Sequence, residues 1–290
     1  MRTHNTHTQA KRAALALGVA VSLSMGATAA QAQEILLTGP LAGAQAVRKL
    51  KLYREGRFEI APQASFTLLD EYQRTIFLGA RLNYNLTDWL ALGVWGATGS
   101  VIQSPTHLSE QIQGVNAKRI EADPAGTTLS RRLVQNNLGP DFRDQIAGVD
   151  WVVSPQLTAV PFRGKLALFQ GIVLDSDLYL FGGPAFVGLK ERADCESDCK
   201  NSFAMASRMA IAPTFGLGFS FYVNDWSGIG FEWRGLPYSW NTGGFDLAGE
   251  GPKGDTPDNK VNSDDRQFKF NQMLTVSFNV YLPTAPRISE

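Results

Sequence analysis

One stretch restricts the possible folds more than any other. From Ile211 to Trp233 the chain reads I-A-P-T-F-G-L-G-F-S-F-Y-V-N-D-W-S-G-I-G-F-E-W. Ile211, Pro213, Phe215, Leu217, Phe219, Phe221 and Val223 share one parity, and Ala212, Thr214, Gly216, Gly218, Ser220 and Tyr222 the other. Strict alternation defines a strand with two unlike faces. Asn224-Asp225 supplies a tight turn. Ile229, Phe231 and Trp233 then oppose Gly228, Gly230, Glu232 and Arg234. A soluble sandwich also alternates, so the pattern alone does not choose between sandwich and barrel. Length, aromatic strand ends and an export signal favour an antiparallel transmembrane β-barrel of the bacterial outer membrane.

The export signal occupies residues 1–32. Lys11 and Arg12 close a positive segment, Ala13–Met25 is apolar, and Ala30-Gln31-Ala32 fits a cleavage site. The apolar run is short for a membrane-spanning helix, which needs ~20 residues. Formal net charge is +0 and mean hydropathy −0.12. Balanced charge gives no nucleic-acid footprint. Low hydropathy is compatible with a barrel, since only alternate residues meet lipid.

Residues 33–56 read as a periplasmic lead-in, with Arg48, Lys49, Lys51 and Arg54 as a basic cluster that is either solvated or a dock for a partner or anionic headgroups. The expected barrel covers 57–282, and 283–290 is a tail. Eight strands can be drawn: Arg57–Thr67 with a bulge at Pro62, Thr75–Leu86, Trp89–Thr98, Asp150–Val160, Leu174–Lys190, the two of the opening hairpin, and Phe268–Leu282. Leu166–Val173 has no clean parity and reads as a short helix or an extension of the next strand. Thr87-Asp88, Pro161–Lys165 and Asn224-Asp225 are short connections. Leu68–Arg74, Gly99–Val149, Glu191–Ser207 and Gly235–Gln267 are longer. Short turns at one end and long loops at the other are the asymmetry of bacterial barrels.

The runs G-P-L-A-G-A-Q-A-V-R-K-L-K-L-Y-R-E-G-R-F-E-I, L-N-Y-N-L-T-D-W-L-A-L-G and P-F-R-G-K-L-A-L-F resemble the outer-membrane β-barrel domain proteins of myxobacteria and their relatives. The resemblance spans nearly the whole mature chain. It implies the fold and the outer-membrane location, and no catalytic set comes with it. Barrel chains commonly end on an aromatic residue, whereas here the last strand ends at Leu282, so Phe278, Val280 and Leu282 are the candidate insertion signal.

The inward parity carries charge of both signs, in Arg57, Glu59, Arg81, Asp177, Glu232 and Arg234, beside Gln63, Asn83, Tyr179, Thr275 and Asn279. An eight-stranded barrel is just wide enough for side chains to fill it. These groups therefore form a salt-bridged plug or line a narrow polar channel. Cys195 and Cys199, in an exported chain, are expected to form a disulfide. His107 and Ser109 are the only candidates for nucleophilic chemistry, and a loop His near a Pro is more often solvated. No cofactor or metal is expected. Gly99–Val149 holds helix-compatible spacings at Leu108–Val115 and Leu129–Leu138, as a lid or partner surface. Gly243–Arg266 reads as a mobile polar loop. Tyr84, Trp89, Trp151, Trp226, Trp233, Tyr238, Trp240 and Tyr281 lie near strand ends and suit interfacial belts.

Three roles are compatible with this reading. The first is a structural or interaction platform of the envelope, non-enzymatic and part of an envelope-spanning assembly. Its partners would be outer-membrane lipid, lipopolysaccharide and envelope proteins reached through Gly99–Val149 or Arg48–Arg54. The second is a narrow channel for small solutes, and the third a lipid-modifying enzyme.

Overall fold

The structure is a computed structural model that describes residues 53–122, 141–168, 172–193, 203–250, 254, 256–258 and 260–284. The signal segment, most of the basic lead-in, Leu129–Leu138 and the Cys195/Cys199 pair lie outside the described residues. Eight strands close into an antiparallel barrel: β1 (Phe58–Leu68), β2 (Gln73–Asn85), β3 (Leu90–Pro105), β4 (Gly148–Leu168), β5 (Ile172–Arg192), β6 (Met205–Asn224), β7 (Ser227–Trp240) and β10 (Gln267–Leu282). β10 pairs with β1 from Phe58↔Leu282 to Leu68↔Gln272, so no barrel edge is left open at the seam. Two short strands, β8 (Gly249–Glu250) and β9 (Thr256–Pro257), form a separate hairpin in the last loop.

Parity decides which face each residue takes, because successive side chains point to opposite sides. Phe58, Leu82, Leu92, Leu157, Phe219, Phe231 and Val276 are exposed on the outer wall. Their neighbours Glu59, Arg81, Ala91, Gln156, Ser220, Glu232 and Thr275 are buried inside. A barrel that turned this apolar band to water would expose a patch far above the few hundred Å² tolerated on soluble monomers.

Four expectations are corrected. Pro161–Lys165 is not a turn. β4 runs on to Leu168 and β5 starts at Ile172, with a bulge between Ala159 and Phe162. β3 reaches β4 only as far as Leu90↔Ala159, so beyond it the missing Pro161 N–H costs no ladder bond. Of Leu166–Val173, residues 166–168 accordingly end β4 and residues 172–173 begin β5. Pro62 needs no bulge: it pairs with Ala80 in unbroken register, and the ladder to β10 skips Ala61 and Pro62 without shifting. Tyr238, Trp240 and Tyr281 are not belt residues, since they share the parity of Arg234 and Asn279 and are buried in the lumen. Tyr84, Trp89, Trp151 and Trp226 are exposed near strand ends.

The long connections sit at one end, which we call the loop end. There α1 (His107–Ala122) leaves β3 directly, covering Leu108–Val115. Described residues of the last loop are held by a side-chain anchor. Asp265 accepts from the backbone N–H groups of Leu247 (2.6 Å), Ala248 (3.0 Å) and Asn262 (2.9 Å). Phe245 stacks on Phe142 with centroids 5.8 Å apart, and Tyr72 meets both rings edge-on.

Candidate functional site: the filled lumen

The lumen is built in layers. At the end with the short turns, Arg54 enters the barrel and pairs with Asp177, and Tyr222 donates to the same carboxylate at 2.9 Å. The Arg54 guanidinium also lies 5.5 Å from the Tyr222 ring and 5.9 Å from the Tyr281 ring. Arg54, expected in the basic lead-in, is buried. Its backbone N–H is held by Asp88 at 2.9 Å, which aims the side chain inward. Among the described residues no carboxylate forms an ion pair with Arg57. Arg57 donates to the carbonyls of Pro283 (2.9 Å), Tyr53 (3.0 Å), Asp225 (3.1 Å) and Tyr281 (3.3 Å), tying the segments that flank β1 and β10 to the β6–β7 turn.

The middle layer is a linear array of alternating charge. Glu59 accepts from Arg81 at 2.8 Å, Arg81 donates to Glu232 at 2.6 Å, and Glu232 accepts from Arg234 at 2.6 Å. Asn83 donates to Glu59 at 3.3 Å, Tyr179 accepts from Arg81 at 3.2 Å, and Gln156 and Thr214 accept from Arg234 at 3.0 and 3.3 Å. Arg234 is sandwiched between Trp95 and Phe181, at 4.0 and 4.1 Å from their centroids. The layer draws on every barrel strand except β10. Two arginines and two glutamates balance, which is what lets four charges sit buried side by side. Glycines make the room: a Cβ on Gly218 would lie 2.3 Å from the Tyr179 ring, and one on Gly93 2.0 Å from Asn83.

Above this layer the lumen becomes apolar. Phe77, Val152, Val187, Leu189, Leu236 and Met273 pack there as one buried cluster. At the loop end Glu191 receives Arg208 (2.5 Å) and Arg266 (3.0 Å), fastening β5, β6 and the last loop across the mouth.

So of the six charges read as inward, Glu59, Arg81, Glu232 and Arg234 meet in one array. Asp177 belongs to the turn-end cluster, and Arg57 clamps backbone. Trp95, Gln156 and Phe181 are not among the expected lumen residues; Tyr222 is expected only as a member of the polar face of its strand, and Arg54 only as part of the lead-in. Trp95 and Gln156 carry the inward parity of their strands and were readable. His107 and Ser109 are not brought together: Ser109 is buried, His107 is exposed and contacts Gln111 at 3.1 Å, and residues two apart on a helix face different ways. Among the described residues no cluster of three or more His, Cys, Asp or Glu side chains could hold a metal.

Asp70, in the β1–β2 connection, has a buried carboxylate oxygen without a partner. Burial pushes its pKa up to about 6, against weaker pulls from Thr67 and Arg74. The folded protein therefore holds this proton more tightly than the unfolded chain does. Stability from it is complete below the ordinary value of 3.8 and is lost as pH rises through about 6. The heat-induced mobility transition of the barrel should fall in temperature between pH 5 and pH 7. Asp70→Asn should flatten that slope, and an unchanged slope would show that this carboxyl does not titrate as described.

No family model matches the chain, and no curated relative is found at a significant level. Solved structures align over most of their length. The N-terminal β-barrel domain of Pseudomonas aeruginosa OprF does so at 9% identity and TM-score 0.39, over 79% of this chain and 98% of that one. OprG from Pseudomonas aeruginosa aligns at 11% identity and TM-score 0.37, over 79% and 97%. Ail, the attachment invasion locus protein of Yersinia pestis, aligns at 11% identity and TM-score 0.31, over 78% and 99%. These are similarities, and the barrel assignment rests on the closed strand ladder itself.

Proposed function

We propose that this chain is a non-conducting barrel of the bacterial outer membrane, which anchors a folded set of loops at the cell surface as an interaction platform. The observation that carries the reading is the array Glu59–Arg81–Glu232–Arg234, which crosses the lumen without leaving a charge unpaired. A pore lined by single charges attracts hydrated ions; an internally neutralised layer fills the space instead. The apolar zone above it removes any wetted continuation toward the loop end. The outer wall supports membrane placement, because only a closed barrel satisfies every strand N–H and C=O in hydrocarbon.

One observation favours the channel reading. Gln63, Asn83, Gln156 and Thr158 carry buried polar atoms with no protein partner. They face the β1–β4 side of the lumen, where ordered water would meet them. That hydration ends at the apolar cluster, so on our reading it is a pocket of bound water and not a path.

Membrane placement is tested by fractionation and gel mobility. The protein should be recovered with outer membranes and should migrate differently before and after boiling in SDS. Recovery in the soluble periplasm with unchanged mobility would remove the membrane reading.

A further inference from the structure

At the end with the short turns, β4 carries an uncovered strand edge. It leaves β3 at Leu90↔Ala159 and stays paired with β5 alone, down to Leu168↔Ile172. The β2–β3 turn covers the first part of this edge. The Trp89 carbonyl accepts from the Val160 N–H at 2.8 Å, Pro161 has no N–H to offer, and Asp88 bridges to Arg163 at 3.3 Å. From Gly164 to Leu168 no strand among the described residues is paired on that side. β5, by contrast, is paired with β6 as far as Asp175↔Tyr222. A row of unpaired N–H and C=O groups is a template for another strand.

We infer that this edge takes up an extended, acidic segment of a periplasmic partner, which adds to β4 as a further strand. The residues along the edge define what fits. Arg163 stands opposite Asp177 of β5 in register, and on its other side Asp88 completes the order acid, base, acid. Two residues on, Lys165 stands opposite Asp175, and no strand among the described residues is paired on its other side. A carboxylate from an incoming strand repeats there the order that the protein itself builds at Arg163. The other parity holds Phe162, Gly164, Leu166 and Leu168, and Phe162 is 67% exposed. That row calls for apolar residues at alternate positions of the incoming strand. A second copy of the chain fits less well. It would set Arg163 and Lys165 against the same two cations, and like charges placed opposite destabilise a sheet. The compartment rests on the membrane placement proposed above, which puts the short turns on the periplasmic side. The edge itself is independent of that placement and of whether the lumen conducts.

The test uses the folded protein, purified whole in detergent, and a short fluorescent peptide that alternates valine with glutamate, read by anisotropy. Binding should saturate with one site. The valine–lysine counterpart should bind at least about fivefold more weakly, as reversal of a cross-strand charge requires. A strand offers its N–H groups alternately to its two edges. N-methylation of one alternate set of peptide residues should therefore abolish binding, and methylation of the other set should leave it. Lys165→Glu should turn the preference toward the lysine peptide, with heat-shifted gel mobility verifying the fold. If that variant does not fold, the methylation comparison on the unaltered protein carries the test alone. Absence of saturable binding, equal effects of the two methylation sets, or an unchanged preference in folded Lys165→Glu each overturns the assignment. So does a dimer joined by a disulfide between two copies of Gly164→Cys, since the edge then belongs to a second copy. Fractionation decides the compartment separately, so failure of the membrane reading and failure of the edge are told apart.

Discussion

Replacing Glu232 with alanine should destabilise the barrel more than any other single lumen substitution. Glu232 is 3% exposed and is the only carboxylate in the array that touches two arginines, Arg81 at 2.6 Å and Arg234 at 2.6 Å. Its removal leaves Glu59 alone against two buried guanidinium groups. Stripping one partner from a buried pair costs ~3–5 kcal/mol, and water entering the vacated space brings the figure toward the lower end. The urea midpoint should fall well below wild type. Glu59→Ala should fall less, because Arg81 keeps Glu232. Glu232→Gln keeps the volume and loses the charge, so it separates filling from charge: destabilisation close to that of alanine assigns the effect to charge. No shift for Glu232→Ala would mean that Glu232 is not part of a tight array.

Much of this architecture is legible in parity alone. Once Phe215, Phe219 and Phe231 are placed outward, Ser220, Glu232 and Arg234 must be inward, and the alternation in Phe58–Phe66 and Leu274–Leu282 closes the same two faces around the barrel. What parity does not supply is pairing across the lumen. Arg81 and Glu232 sit on β2 and β7, strands that share no ladder, and their meeting depends on barrel width and side-chain length. Arg54 precedes the first strand and has no parity to read, so its burial beside Asp177 follows only from the Asp88 contact that turns the chain inward. Tyr238, Trp240 and Tyr281 show a different error. Nearness to a strand end suggested a belt, while their parity already placed them in the lumen. Pro161 and Gly164 look like a turn because both usually break strands. They are tolerated here because this part of β4 projects past β3 and needs ladder bonds on one side only.

The central claim is that the lumen is closed by its own side chains, and ionic current across a planar bilayer measures that directly. The purified barrel should insert, as judged by its heat-dependent mobility, and stay silent in symmetric salt, because the paired array and the apolar cluster leave no continuous water for a hydrated ion. Glu232→Ala, with a filler removed and positive charge left over, should begin to pass current and should favour anions. Steady, reproducible single-channel steps from the wild-type protein, merely changed in ion preference by Glu232→Ala, would contradict the account and make the same residues the lining of a narrow channel.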